Sequence, residues 1–563
     1  MIIRSDRNGR FAGLLVIFSV QAVCVALAMV APLGNPVQAH EHTWPVYAKS
    51  LGPGVNLKDK HNVPSTSAND APTCRLTIEL ADAATGQPLD GLVRFSLTDG
   101  PLSVDDLFCR GTMLRQGHPG KHWYVVLGSA AATVPQDKLT VEAFSGLETE
   151  LAAQTIDLTG KATAQLTMPL TRFYDAAGHG WRNGNTHLHL RSLTRPQADR
   201  YLRSIARADG LELVFVSYLR RVKAEETYIS NSYTREELNR LSGHGVLFDN
   251  GEEHRHNFGP GGEGYGHVMF LNIKELIRPV SIGPGIMGEG TDWPTIRRGI
   301  DHAHRDGATA VWCHNAWGLE DVPSWVAGVL DAHNIFDGGS RGSYEDSFYR
   351  FMNVGLRVPF SAGTDWFIYD FSRVYVKTKE PLEVAGWLED LRRGRSFITN
   401  GPLLEFRVQT HDPGDVIQLD QPAKLTVRGR AFGRSDFRKI EVVHNGRLAS
   451  AAPSRAVDRH FEAEIDAEVP VSEPGWMALR INTDSTNALG GKLFGHTSAV
   501  YVELAGQTIF KPEVAEMLIA DMQRAMATIE EKANFADDTE RDEVLDVYRQ
   551  GIRTLRGRIA KHE

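Results

Sequence analysis

The stretch Trp181–Leu190, WRNGNTHLHL, sets His187 and His189 two residues apart inside an apolar run. In an extended chain the side chains at i and i+2 leave the same face, so the two imidazoles project together and can reach one cation. The same spacing also suits two satisfied core histidines, and what decides is whether other strands bring further ligands. Outward from this stretch, from about Gly180 to Pro402, short apolar strands alternate with longer amphipathic segments. The strands THLHL, LELVFVS, HGVLFDN, GHVMFLNI, ATAVWCHN, RVPFSAG and RVYVKT are separated by helical stretches such as PQADRYLRSIARADG, WPTIRRGIDHAHRDG and PLEVAGWLEDLRRG. That alternation predicts an α/β domain built on a parallel sheet, open or closed into a barrel.

Polar groups stand at the ends of these strands. HGVLFDNGEEHRHNF carries Glu252 and Glu253, ATAVWCHNAWG carries His314, and RVPFSAGTDWF carries Asp365. In barrels, functional side chains gather at the C-terminal strand ends, where loops vary without disturbing the interior. Strand ends without such a role more often carry uncharged or turn-forming residues. His267 opens its strand instead of closing it, so its place rests on the resemblance that follows.

NTHLHL, NGEE followed by GHVMF, VWCHNAWG, SAGTDWF and the closing GRSFITNGPLLEF occur in that order over about residues 180–402. This set resembles the polymerase and histidinol phosphatase (PHP) superfamily, and within it the CehA/McbA-type metallohydrolases, which often carry β-sandwich modules. The resemblance implies a distorted (β/α)7 barrel holding two or three divalent cations at its mouth. It implies His187 and His189 as paired ligands, Glu253 as a carboxylate bridging two metals, and His267, His314 and Asp365 as the rest of the shell. Imidazole with carboxylate suits zinc, manganese or iron. The chain departs from the family pattern at Asn185, where an aspartate is usual. It departs again at VFVSYLRRVKAEE, in place of a Thr-Asp-His-Asn-like turn, and at Trp366 and Phe367, where a further histidine is expected. These departures favour two cations over three.

Water held between two cations roughly 3.5–4 Å apart loses a proton near neutral pH and can attack a phosphoester, ester or amide. By position, His254 or His256 would protonate the leaving group. Trp317 and Trp366, each close behind a ligand, would wall a substrate pocket or pack in the core. The expected function is an exported metal-dependent hydrolase acting on a small molecule or a polymer. The alternative is a non-catalytic extracytoplasmic binding protein with a degenerate barrel.

The whole 563-residue chain, 42% hydrophobic and 23% charged, has the composition of a folded multidomain protein. A formal charge of -9 excludes a global attraction to nucleic acid. Residues 1–39 pair Arg4, Arg7 and Arg10 with a long apolar stretch ending near PVQAH, which predicts an export signal cleaved after Ala39 or an uncleaved membrane anchor. Either places the body outside the cytoplasm. Residues 40–70 form a linker, 71–175 and 403–506 two β-sandwiches flanking the barrel at 176–402, and 507–563 a helical tail. Cys74 and Cys109 could pair. Cys313, by alternation, is expected to face away from His314 toward covering helices as a buried thiol. GPGGEG, Gly259 to Gly264, lacks the strand-to-helix context of a dinucleotide fingerprint and is expected to form a flexible lip.

Overall fold

Strand β1 (Trp181–His189) is buried along nearly its whole length, as a strand covered on both faces must be. The computed structural model that contains it describes residues 72–256, 258, 264–314, 318–336 and 343–562. The signal or anchor, the linker, Trp317 and residues 259–263 of the glycine-rich lip lie outside the described residues. The protein is multidomain and mostly β, and its central strands curl into a half-barrel. No helix among the described residues is long and apolar enough to cross a membrane.

β1 runs parallel to β2 (Leu213–Tyr218), which runs parallel to β3 (Leu247–His256). β4 (Gly266–Leu271) lies antiparallel to both β3 and β5 (Thr309–Cys313), a departure from the parallel sheet expected. The connection from 257 to 265 is shorter than the dozen or more residues a parallel crossover needs, so the chain turns back as a hairpin. β6 (Ala332–Asn334) and β7 (Phe360–Ser361) continue the curl in parallel. On the other edge of β1 lie the short β8 (Asp365–Trp366), parallel, and β9 (Arg373–Lys377), antiparallel.

Helix α1 (Arg195–Ala208) begins at a Thr194–Gln197 capping box and buries Ala198, Tyr201, Leu202 and Ile205, the i, i+3, i+4, i+7 stripe of a helix covering a sheet. Helix α2 (Ile296–Arg305) covers the outer face of β3 and starts where the Ile296 and Arg297 amides donate to the buried Glu320 carboxylate.

Before the half-barrel, a three-stranded sheet centred on Thr73–Asp82 packs on a second sheet containing Asp90–Leu97 and Lys138–Phe144, with Leu76, Ile78, Val93, Phe95 and Val141 between them. Cys74 and Cys109 are both free thiols, so the pairing considered for them is not formed. From this sandwich Arg110 reaches into the half-barrel. Its guanidinium meets Asp209 at 2.7 Å with both side chains fully buried, and it donates to the Ile368 carbonyl just past β8. The sandwich thereby buttresses the segment that carries Asp365.

After the half-barrel, β10 (Ser396–Thr399) pairs with both β9 and Lys492–Thr497, so one sheet of the second sandwich continues the half-barrel without a break. The tail helices α3 (Pro512–Lys532) and α4 (Asp538–Ile559) follow, and their connection is tied back where Asn534 and Asp292 exchange backbone and side-chain hydrogen bonds at 2.8 and 2.6 Å.

Candidate metal centre

Alternation along β3 sorts its polar side chains onto two faces. Glu253 and Arg255 face the interior of the half-barrel, and Glu252, His254 and His256 face outward. Inside, Glu253 meets the ends of β1, β4, β5 and β8. His187, His189, Glu253 and Asp365 offer ligand atoms that all lie within 4.8 Å of one another, and so do Glu253, His267 and His314. All six residues are buried.

In the first group His187 Nε2 lies 3.0 Å from His189 Nε2, and His189 Nε2 lies 3.1 Å from Glu253 Oε2. Asp365 Oδ1 is 3.5 Å from His187 Nε2 and 3.7 Å from His189 Nε2. These spacings bracket the roughly 3.3 Å edge of a tetrahedron with bonds of about 2.05 Å, so a zinc-sized cation fits among the four donors. In the second group Glu253 Oε1 is 3.2 Å from His267 Nδ1 and 3.8 Å from His314 Nε2, and Asp365 Oδ2 is 3.8 Å from His314 Nε2. Both carboxylates are therefore divided, one oxygen toward His187 and His189 and the other toward the second group of histidines. Sequence reasoning assigned bridging to Glu253 alone; Asp365 also reaches across, from His187 and His189 to His314.

The supporting shell fixes these donors. His189 Nδ1 is 2.9 Å from the Ser217 carbonyl, which can only accept, so Nδ1 carries the proton and the Nε2 lone pair faces the cluster. Asn185 does not join the ligands. Its Nδ2 donates to Thr364 Oγ1 at 2.7 Å, and its Oδ1 accepts from the Thr364 amide at 3.2 Å. Asp365 adopts φ +56°, the left-handed region that costs a non-glycine residue on the order of 1 kcal/mol. Thr364 N bonded to His187 O at 3.0 Å and Phe367 N bonded to His189 O at 2.9 Å hold it there. Burial alone would push the Glu253 carboxyl up, but the Arg255 guanidinium and the surrounding imidazoles outweigh it and hold Glu253 well below the usual carboxylate range.

The two histidines proposed as leaving-group acids do not face the cluster. His254 Nδ1 is 2.9 Å from Glu252 Oε1, and its ring packs on Phe270 and against Gly299 of α2. His256 stacks on Tyr265 with ring centroids 3.8 Å apart. Its Nδ1 accepts from the Tyr265 amide at 3.0 Å, which leaves the proton on Nε2, 2.9 Å from Asp292 Oδ1. Burial lowers the His256 pKa despite Asp292. The physical reason for the correction is strand parity: with Glu253 turned inward, its even-numbered neighbours turn outward.

The same parity reveals a residue that sequence reasoning missed. Arg255, 3% exposed, lies opposite His267 across β3 and β4 and brings Nη1 to 3.5 Å from Glu253 Oε1. Trp366 packs on His189 with ring centroids 5.4 Å apart and lies under two further guanidiniums, Arg191 at 4.9 Å and Arg221 at 5.4 Å from its centroid. A cavity of about 330 Å³ opens beside Arg220, Arg278 and Ser281, and the Ser281 backbone pairs with Arg255.

Gly363 provides a local test of this construction. A Cβ there would meet His187 Cβ and N at 2.6 Å and Asn185 Oδ1 at 3.0 Å. Gly363→Ala is expected to shift His187, lower stability by about 1–3 kcal/mol and reduce bound metal, as measured by chemical denaturation and elemental analysis.

No family model matches the chain, and no curated protein matches it. Among solved structures, the β-glucuronidase of Parabacteroides merdae crystallised with glycerol in its active site aligns at 9% identity with a TM-score of 0.15. The alignment covers 74% of this chain and 60% of that one, and so slight a likeness carries no argument about fold or activity.

Proposed function

We propose that this chain is an exported metal-dependent hydrolase of PHP type. In this reading the half-barrel is a distorted (β/α)7 barrel, and its buried cluster holds two divalent cations, zinc, manganese or iron. The observation that carries it is the division of both Glu253 and Asp365 between two sets of histidines, the arrangement a two-cation centre needs. Such cations would supply Lewis acidity toward a substrate oxygen and would acidify bound water.

The protein's own groups do the rest. Ser217 holds His189 in the tautomer that presents a lone pair. Arg255 keeps Glu253 anionic and stands where an anionic substrate oxygen would approach. Trp366, with Arg191 and the Arg221–Glu225 ion pair over it, forms an apolar wall whose positive charge comes from Arg191. With Arg221 already paired to Glu225, Arg191 and Arg255 are the guanidiniums that favour a substrate bearing phosphate or carboxylate, and among the hydrolysable bonds a phosphoester.

The test is turnover by protein purified without added metal, assayed against chromogenic phosphomonoester, phosphodiester, carboxylic ester and anilide substrates. Expected are about two equivalents of transition metal and hydrolysis of a phosphoester that a chelator abolishes and added metal restores. Metal without any turnover would instead make the chain a binding protein.

A further inference from the structure

Cys313 occupies a position that alternation along its own strand did not foretell. β4 and β5 pair antiparallel with His267 directly opposite Cys313, and directly opposed residues share one face of a sheet. Arg255, His267 and Cys313 therefore form a row across three strands on the inner face. β5 ends at Cys313, so strand parity no longer governs His314, which also turns inward. The Cys313 Sγ and a ring nitrogen of both His187 and His314 lie within 4.8 Å of one another, with all three residues buried. Two donors on one tetrahedral zinc, at bonds of roughly 2.3 Å to sulfur and 2.05 Å to nitrogen, stand about 3.6 Å apart, so a closing movement of up to about 1 Å brings the sulfur into the sphere. Cys313 packs at the edge of the apolar core, but its sulfur also adjoins two imidazoles already committed to the cluster, which an inert structural thiol does not need.

We propose that Cys313 is itself a metal ligand, its sulfur closing beside His314 on the second cation, with His187 of the first cation as its other neighbour, to give the centre a soft sulfur corner. It binds as the thiolate, with its proton released to solvent. This inference rests on the metal-centre reading above and deepens it. A thiolate among imidazoles and carboxylates biases the centre toward zinc and away from manganese, which prefers oxygen donors.

The test is the absorption spectrum of the full-length protein loaded with cobalt(II) in place of its native metal. Expected is an intense near-ultraviolet sulfur-to-cobalt charge-transfer band alongside the weaker visible ligand-field bands, with Cys313→Ser losing the first and keeping the second. Competition between zinc and manganese is expected to show the preference for zinc falling by about tenfold or more in Cys313→Ser. Ligand-field bands with no charge-transfer band in the unmodified protein, or a band that survives Cys313→Ser, overturns the thiolate and leaves the histidine–carboxylate centre standing. No bound cobalt at all overturns both. The spectrum of the unmodified protein decides the matter even where the variant fails to fold.

Discussion

Glu253→Gln is expected to strip the protein of most of its metal and to lower kcat at least about 1000-fold, on the order of 4 kcal/mol of transition-state stabilisation. The substitution keeps the shape and one carbonyl oxygen. It removes the negative charge and replaces the second oxygen with an amide that cannot donate a lone pair, so it disables one side of the Glu253 bridge. Glu253 is the side chain common to both groups of donors, with Oε2 3.1 Å from His189 Nε2 and Oε1 3.2 Å from His267 Nδ1. No other single substitution touches both groups as severely, because Asp365 stands farther from its histidines, at 3.5 to 3.8 Å. Elemental analysis and steady-state kinetics on matched preparations check the result. A Glu253→Gln protein that kept two equivalents of metal would show that the carboxylate is not the bridge.

Arg255→Ala is expected to cost about 10- to 100-fold in kcat/KM on an anionic substrate and little on a neutral ester, the range set by about 1.5–3 kcal/mol for a charge-assisted hydrogen bond. The argument is one of placement. The guanidinium is buried beside Glu253, where solvent screens it poorly, and it lies on the inner face opposite His267. Arg255→Lys should recover part of the loss, since a point charge replaces the planar fork but not its geometry. Because Arg255 also helps keep Glu253 ionised, metal content must be measured on each variant. Loss of activity at full metal occupancy locates the effect in substrate binding, whereas equal losses on anionic and neutral substrates would remove Arg255 from that role.

Five of the six ligand candidates were legible because strand chemistry is local, and His267, which opens its strand, was reached only through the resemblance. His187 and His189 show their common face by spacing alone, and Glu253, His314 and Asp365 stand at strand ends where a packed sheet has no use for them. The outward turn of His254 and His256 was legible by the same rule, once Glu253 is taken as inward. Applying it would have excluded both as proton donors and pointed to Arg255. Cys313 was not legible. Its face is set by register with β4, a pairing between segments some forty residues apart, while alternation within β5 argues only that Cys313 and His314 differ.

The mixed direction of the sheet was half visible, since the span from 257 to 265 is too short for a helix. The fusion of the half-barrel with the second sandwich was invisible, because β10 finds its partner, Lys492–Thr497, about a hundred residues downstream. The second bridge at Asp365 needed the backbone as well. A left-handed residue pinned by β1 on both sides is a product of tertiary packing that composition does not announce.

Anomalous diffraction from crystals of the zinc-loaded protein tests the shared-carboxylate centre most directly. Two peaks about 3.5–4 Å apart are expected, one flanked by His187 and His189, the other by His267 and His314, with Glu253 and Asp365 each reaching both. A single peak, or none among these residues, with Glu253 contacting only one histidine group, contradicts it.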